Sequence, residues 1–329
     1  MDFAVRVTAP RMQRIVSFLP SATEMVYALG LGDRLMGVSH ECDNPPEAKS
    51  KPVVVRSVLP VEHMTQSEID IAVTQRLRAG LSLYEVDEKL IRDIAPDLIL
   101  TQDLCQVCAP SGNQLSQLLS TLAIKPRILS MTPKSLDGIF GNLRELGEAT
   151  DAVECAMELI SVAQSRLARI AARTHPNAHR PRVFCMEWID PPYCSGHWVP
   201  EMVELAGGID ALGRRGTDSV RIAWEDIVRW APEVLIVMPC GFDLEKAATQ
   251  ASALLSRQGW SEMPAVVSGR VYAVNASAYF ARPGPRVVDG TELLAHLLHP
   301  TWFDWAGPTN AFQRLTADQA SAATALTVA

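Results

Sequence analysis

Short apolar runs alternate with helix-forming segments along most of this chain, and this alternation constrains the fold more than any other feature. The runs Ile15–Leu19, Met36–Ser39, Leu98–Thr101 and Arg127–Ser130 are each long enough for one strand, and segments with helical periodicity separate them. Strands that alternate with helices form βαβ units, in which the strands pair in parallel. We therefore predict an α/β fold with mainly parallel sheets.

A long helix-forming segment, Asp151–Arg173, divides this alternation into two parts. The segment contains neither Gly nor Pro, which favours one uninterrupted helix of about 35 Å. New strand candidates follow it at Val183–Met186, Val234–Met238 and Val271–Val274. The sequence therefore predicts two Rossmann-like lobes joined by one backbone helix. The predicted divisions are an N-terminal extension (1–13), an N-terminal α/β lobe (14–150), a linking helix (151–174), a C-terminal α/β lobe (175–305) and a weakly ordered tail (306–329).

The two predicted lobes contain related sequences. The segment Ala95–Leu100, which reads APDLIL, resembles Ala231–Ile236, which reads APEVLI. In both segments a helix ends before a proline, and a buried strand follows an acidic residue. This similarity indicates two lobes of similar construction.

The charge balance and the apolar runs limit the possible partners and locations. The 329 residues include 30 Lys and Arg against 37 Asp and Glu, a formal charge of −7, which disfavours a general nucleic-acid binder. The first residues contain no apolar core of a secretory signal, and no apolar run approaches the ~20 residues that a membrane span requires. We therefore expect a cytoplasmic monomer without a membrane span, or a periplasmic protein if a leader is missing from the sequence.

Polar and aromatic residues concentrate directly after the predicted strands. Ligands of open parallel sheets bind beyond the carboxyl ends of the strands, so these loops form the predicted ligand-binding edge of each lobe. Aromatic residues there would form the apolar walls of a cleft: Trp188, Tyr193, Trp198, Phe242, Tyr279 and Phe280. The polar ligand-binding candidates are Ser21, Glu24, His40, Arg282 and Arg286.

Some of these polar candidates also have a structural interpretation. Ser21 and Glu24 have the spacing of a helix N-cap and its capping-box partner, so capping is their first expected role and ligand binding the second. Arg282 and Arg286 flank two prolines, where they either fix a loop or present cationic groups to an acidic ligand.

Five cysteines and two histidines form a second group of candidates after the strands. Cys105 and Cys108 have the C-x-x-C spacing with which thiolates hold zinc. The remaining metal ligands would come from Cys42, His40, His197, Cys194 and Cys240. A thioredoxin-like redox pair and a pair of inert buried thiols are the alternatives. Convergence of these residues would predict zinc or an iron–sulfur cluster.

Several segments of the sequence resemble those of a known family. Ile15–Glu24 (IVSFLPSATE) and Gly37–Pro46 (GVSHECDNPP) resemble the opening of cobalamin-binding proteins of the ABC-transporter substrate-binding class, and Arg270–Val274 (RVYAV) is similar to a later landmark. The resemblance covers about residues 14–305. It implies two lobes bridged by a rigid helix, and a ligand drawn from cobalamin, haem or iron–siderophores.

The resemblance also implies a membrane partner, and it leaves two alternative functions. In exported relatives one surface glutamate on each lobe docks onto a membrane permease, and Glu225 matches the C-lobe position. Lys89 occupies the N-lobe position, with Glu88 one residue before it. The sequence looks closer to a leaderless branch of the family. We therefore expect a non-enzymatic protein that binds a corrinoid or related metal chelate, or else a cytoplasmic metal-thiolate or redox protein on the same scaffold.

Overall fold

The computed structural model describes residues 14–102, 119, 122, 125–174 and 179–315, and these residues form two units. The first unit comprises residues up to 62, 72–132 and 140–160, and the second comprises 63–71, 133–139 and the chain from 161 onward. Each unit contains its own sheet. The predicted α/β class with two lobes is confirmed.

The first unit contains a sheet of six strands in the order β4-β3-β2-β1-β5-β6. All neighbouring strands are parallel except β3 and β4, which pair antiparallel. The strands are β1 (Ile15–Ser17), β2 (Leu35–Ser39), β3 (Val53–Ser57), β4 (Tyr84–Val86), β5 (Leu98–Thr101) and β6 (Arg127–Ser130). The helices among the described residues of this part of the chain are α1 (Pro20–Ala28), α2 (Gln66–Arg78), α3 (Glu88–Ile94) and α4 (Leu136–Ala149).

The second unit contains a sheet of five strands in the order β13-β12-β11-β7-β8, in which the two outer strands are antiparallel to their neighbours. Its strands, with a separate pair β9 and β10, are β7 (Val183–Trp188), β8 (Tyr193–Cys194), β9 (Gly196–His197), β10 (Arg214–Arg215), β11 (Val234–Val237), β12 (Val271–Val274) and β13 (Phe312–Arg314). The helices are α6 (Val199–Leu205), α7 (Trp224–Trp230), α8 (Leu244–Gln250), α9 (Pro264–Val267), α10 (Ala276–Tyr279) and α11 (Val287–Leu298).

The predicted long helix is present as α5, Val153–Arg173. Its first residues, to Ile160, belong to the first unit, and the remainder belongs to the second. In the second unit the Arg166 guanidinium donates to the carboxylates of Asp289 at 2.5 Å and Glu292 at 2.6 Å, both on α11. This branched ion pair raises the pKa of Arg166 further, chiefly through the hydrogen bond to Glu292, and ties α5 to α11.

The repeated Ala-Pro-acid sequence has the same backbone conformation in both units. Ala95 ends α3 and Ala231 ends α7, and both adopt the left-handed conformation, with φ of 46° and 50°. Each proline then directs the chain away from the helix and into a buried strand. The predicted similarity of the two lobes is confirmed at this turn.

The acidic residue of each repeat fixes the start of a neighbouring strand. Asp97 accepts the main-chain N–H of Arg14 at 3.2 Å, and Glu233 accepts that of Arg182 at 3.0 Å. Each arginine side chain also donates through Nε to a main-chain carbonyl at the end of the helix that precedes the acidic residue, at Ile94 for Arg14 and at Ala231 for Arg182. The repeat therefore has a structural function, which is to join a helix end to a strand start.

Several elements differ from the sequence prediction. β3, β4 and α2 were not predicted, and the segment after Met186, predicted as one loop, contains β8 and β9. The pattern of Leu244–Arg257 predicts one helix. In the structure α8 ends at Gln250, and the chain continues as a short 3-10 turn to Leu254. The strands among these elements have only two to five residues, so periodicity over a long window does not reveal them.

In the part of the chain that the structure describes, no helix combines the length and apolar character needed to span a lipid bilayer.

Candidate functional site

The turn after β1 is buried, and it does not use the predicted cap. Leu19 precedes the first residue of α1, Pro20 occupies that first position, and no side chain caps the helix. The prediction that Ser21 caps α1 is therefore wrong, because the missing N–H of Pro20 already suits the first helical position. Ser21 and Glu24 instead lie within the first turns of α1, where they are 3% and 4% exposed.

The turn after β2 places His40 and Cys42 at the same edge of the first sheet. The main-chain N–H of His40 donates to Val55, and its Nδ1 lies 3.4 Å from the Ser39 hydroxyl. The Cys42 thiol is 3% exposed and lies 3.1 Å from the Thr23 hydroxyl. Cys42 is therefore part of the packing beneath this turn.

In the second unit, Trp188 and Phe242 form an aromatic pair where β7 and β11 end. Their ring centroids are 5.7 Å apart, and the rings meet edge to face at 67°. Phe242 is 9% exposed and packs on Ala247 and Ala273, whereas Trp188 is only half-buried. The pair therefore combines a fixed inner ring with an outer ring that retains accessible surface.

A buried glutamine holds the outer ring of this pair. Gln66, the first residue of α2, is 1% exposed. Its main-chain carbonyl accepts the indole N–H of Trp188 at 3.2 Å, and its side-chain carbonyl accepts the N–H of Ile189 at 2.6 Å. The indole is thus fixed by a residue that lies 122 positions earlier in the chain.

β7 and β8 form a hairpin in which Trp188 pairs with Tyr193. One turn further along α2, Asp70 binds this hairpin at Tyr193. Its carboxylate accepts the Tyr193 hydroxyl at 3.2 Å and the Arg221 guanidinium at 2.5 Å. Arg221 also donates to the Tyr193 oxygen at 3.0 Å, which, with the bond to Asp70, raises the pKa of the guanidinium. Tyr193 therefore contributes to a polar network at this edge.

Beneath this edge, two desolvated carboxyl groups anchor residues 209–222, a segment that we call the strap. Glu187 accepts the N–H of Gly196 at 2.9 Å and is hydrogen-bonded to Ser219 of the strap. Asp210, which belongs to the strap, accepts the Ser195 hydroxyl at 2.6 Å and the N–H of Gly213 at 3.0 Å. Desolvation raises the pKa of Glu187 to about 7 and that of Asp210 to about 6. Each group is therefore held partly protonated near neutral pH.

Three other predicted wall residues lie mainly in the interior. Phe280 is 1% exposed, and Trp198 is 5% exposed and donates its indole N–H to the Phe280 carbonyl at 2.9 Å. Tyr279 is 8% exposed and contacts Trp305 edge to face. Their main contribution is packing around α10. Arg282 and Arg286, which follow, are half-buried.

The predicted thiol cluster is only partly covered by the structure. Cys105 and Cys108 lie outside the described residues. Cys194 is fully buried in the apolar core beside Phe184, and this desolvation raises the pKa of its thiol. Cys240 is exposed in the turn after β11. Among the described residues there is no group of three or more His, Cys, Asp or Glu side chains that could hold a metal ion.

His197, the remaining metal-ligand candidate, contacts the strap at Asp218. It lies in β9 with φ of 52°, and its Nε2 is 3.1 Å from an Asp218 carboxylate oxygen. Burial lowers the pKa of the imidazole, against the opposing effect of Asp218. The observed partner of His197 is therefore a carboxylate on the strap.

A surface depression of about 600 Å³ lies in the second unit, beside α6. Arg215 in its wall is paired with Glu204 at 2.6 Å and with Glu201 at 3.6 Å. These opposite charges compensate each other, and the depression lacks the aromatic surface found at the Trp188–Phe242 pair. We therefore place the candidate ligand site at the aromatic pair.

The two predicted docking glutamates lie in the first turns of corresponding helices, at positions that differ by one residue. Glu88 lies in the first turn of α3, and Glu225 lies in the first turn of α7 and is exposed. The two helices are the ones that end at the repeated left-handed alanine.

The sequence analysis missed Gln66, Asp70, Glu187, Asp210 and Arg221. A signal for the first two is present, because Thr65 and Glu68 have the spacing of a capping box. The structure confirms that box, since the Glu68 carboxylate accepts the Thr65 N–H at 2.8 Å. A helix predicted from Gln66 would have placed Gln66 and Asp70 on one face.

Comparisons with known proteins agree with this architecture. A family model described as "Periplasmic binding protein" matches residues 15–278. The chain is 27% identical over 300 residues to an ABC transporter substrate-binding lipoprotein of Bacillus subtilis, YvrC, covering 88% of this chain and 81% of that protein. It is 26% identical over 283 residues to the vitamin B12-binding protein of Vibrio cholerae, covering 85% and 87%.

Solved structures show the same fold. The periplasmic heme-binding protein RhuT from Roseiflexus sp. RS-1 superimposes with a TM-score of 0.66 at 20% identity, covering 88% of this chain and 98% of that chain.

Proposed function

The chain belongs to the periplasmic binding protein family, and on that premise we propose that it binds a corrinoid such as cobalamin, with a haem as the alternative ligand. The protein is a substrate-binding protein of the ABC transporter type, and such proteins bind small molecules rather than catalyse reactions. The observation that carries the proposed ligand class is the Trp188–Phe242 pair at the end of β7 and β11.

The chemistry of this pair suits a large conjugated ring. A half-buried indole backed by a fixed phenyl ring offers a flat apolar surface, and edge-to-face or offset contacts with a planar ligand each contribute about 1 kcal/mol beyond the area that they bury. The V. cholerae relative is named for vitamin B12, which is also a large ring ligand, and this supports the proposed ligand class.

We expect Trp188→Ala to weaken ligand binding roughly tenfold, because the loss of one aromatic surface costs about 1.4 kcal/mol. The measurement is calorimetric titration of the purified protein with cyanocobalamin and, separately, with haemin. Trp302→Ala is the control, since Trp302 is 36% exposed and stacks on His299 instead. Failure of the unmodified protein to bind either compound would refute the proposed ligand class, and equal affinities in the Trp188→Ala variant would refute the proposed site.

We also propose that Glu225 and Glu88 contact an ABC permease, because they lie at corresponding helix starts in the two units. Charge reversal in Glu225→Lys is expected to abolish stimulation of the ATPase activity of the cognate permease in proteoliposomes. Glu262→Lys is the control, because Glu262 is exposed and lies outside α7. Undiminished stimulation by Glu225→Lys would exclude this contact. The cytoplasmic location stays a prediction, which fractionation of native cells would test.

The metal-thiolate alternative depends on Cys105 and Cys108 and also stays a prediction. Metal analysis of freshly purified protein, compared with Cys105→Ser and Cys155→Ser variants, would test it.

A further inference from the structure

The start of α2 contacts the β7–β8 hairpin at two points on one helix face. Gln66 and Asp70 are four residues apart, so their side chains project from the same side of the helix. Gln66 binds the hairpin at Trp188 and Ile189, and Asp70 binds it at Tyr193. Trp188 and Tyr193 pair across the two strands, so both strands of the hairpin are held next to its turn by a single helix face.

The contacts of Gln66 restrict the indole directly. A tryptophan side chain has two rotatable bonds, and the hydrogen bond from its Nε1 to the Gln66 carbonyl restricts both of them. The 2.6 Å bond from the Ile189 N–H to the Gln66 side chain holds the adjacent backbone. Together these bonds determine which face of Trp188 is presented at the sheet edge.

The Asp70 network restrains the second strand of the hairpin, β8, at Tyr193. Asp70, Tyr193 and Arg221 form a closed set of three hydrogen bonds, and the Asp70 side chain is only 14% exposed. A closed set holds each member more firmly than a single bond would, since each group orients the next. The hairpin therefore cannot move away from α2 without breaking hydrogen bonds on both of its strands.

The side-chain amide of Gln66 costs free energy at this buried position. Its Nε2 is buried, and among the described residues it has no hydrogen-bond partner. A buried unpaired donor destabilises the folded state, and methionine, of similar length, would avoid this cost. Methionine would in turn leave the Ile189 N–H without its acceptor, a loss of comparable size. Stability alone therefore gives little reason for glutamine at this position, which points to a positioning role.

We infer that the Gln66 side chain, which holds the Ile189 N–H, is a positioning group that sets the orientation of the adjacent Trp188 indole, with Asp70 restraining the paired strand at Tyr193. The orientation is a property of the ligand-free protein. Its consequence for affinity rests on the proposed function, because Trp188 is there the ligand-contacting residue.

The first experiment uses the free protein labelled with ¹⁵N at its seven tryptophans. The Trp188 indole signal is assigned by its absence in Trp188→Phe. In Gln66→Met we expect this signal to shift or broaden while the other six stay in place, with a melting temperature within a few degrees of the unmodified protein. Gln75→Met, on an exposed position of the same helix, is the matched control and should leave all seven signals unchanged.

The outcome in the free protein decides the inference about orientation. An unchanged Trp188 signal in Gln66→Met overturns it. If Gln66→Met does not fold, Asp70→Asn replaces it, because asparagine keeps an acceptor for Tyr193 but loses the charge that binds Arg221. A Trp188 signal that also stays in place in Asp70→Asn overturns the inference, and a shift supports it.

The second experiment measures the affinity for cyanocobalamin and for haemin. We expect Gln66→Met to lose about fivefold in affinity for whichever compound the unmodified protein binds, equivalent to about 1 kcal/mol. Unchanged affinity with a shifted indole signal would overturn the role of Gln66 in binding. Absence of binding by the unmodified protein would refute the proposed function, whereas the orientation of the indole would still be decided by the spectra.

Discussion

The free energy of unfolding is expected to fall as the pH rises from about 4 to about 7, because two carboxyl groups beneath the strap resist ionisation. Desolvation raises the pKa of Glu187 to about 7 and that of Asp210 to about 6, and Asp210 further raises the pKa of Glu187 by repulsion. The folded state binds these protons more tightly than the unfolded chain does. The resulting stabilisation is therefore complete at a pH below the pKa values of the unfolded chain, and it is lost as the pH rises through the pKa values of the folded state. Each pKa unit corresponds to about 1.4 kcal/mol, so the total is a few kcal/mol.

Chemical denaturation between pH 4.5 and 8.5 measures this effect. In the Glu187→Gln and Asp210→Asn variants, the free energy of unfolding should fall less as the pH rises. At pH 8 each variant should be more stable than the unmodified protein. Glu262→Gln, an exposed carboxylate, is the control and should leave the pH profile unchanged. An unaltered profile in both buried-site variants would contradict the assignment.

Other groups in the second unit titrate with the opposite sign or not at all in this range. Burial lowers the pKa of His197 and His299, so their contributions are lost as the pH falls. Burial raises the pKa of the Cys185 and Cys194 thiols, which therefore remain protonated. The difference between the unmodified protein and each variant isolates the carboxyl groups from these effects.

Gly290→Ala is expected to destabilise the protein by about 3 kcal/mol or to prevent folding. Gly290 is buried in α11, where an added Cβ would overlap the Tyr279 carbonyl oxygen and approach Met202 Cε to 2.9 Å. The methionine side chain can move, but the carbonyl belongs to the backbone of α10, so α10 and α11 would have to move apart. This cost exceeds the 0.5–1 kcal/mol or so that alanine contributes over glycine inside a helix.

Gly141→Ala is the matched control, because Gly141 also lies within a helix, α4, but an added Cβ would meet no atom within 4 Å. This variant should gain about 0.5–1 kcal/mol from the better helix propensity of alanine. Thermal unfolding of the two variants measures the contrast. A Gly290→Ala variant as stable as the unmodified protein would show that the close approach of α10 and α11 can relax.

Local pattern was sufficient to predict the main elements. β5, β6 and β12 have the predicted bounds, because each combines a run of apolar residues with a proline, glycine or polar boundary. The aromatic residues Trp188 and Phe242 were likewise predicted as site residues from their positions after strands, and they contact each other as the parallel-sheet rule implies.

The candidate site could be predicted only in part. The same rule assigned Trp198 and Phe280 to the cleft, but both rings are turned into the core, since position after a strand does not determine side-chain direction. Likewise Ser195 and Gly196 are not in an open loop, because the strap pairs with them and buries them.

The sequence by itself determined the α/β class, the long helix α5 and the repeated junction at Ala95 and Ala231, because these depend on periodicity, helix propensity and turn chemistry among neighbours in the chain. Only the tertiary structure decided that Gln66 holds Trp188 and that Glu187 and Asp210 share one desolvated region. These contacts join residues far apart in the chain, and their energies arise from burial and from the hydrogen-bond partners that folding brings together.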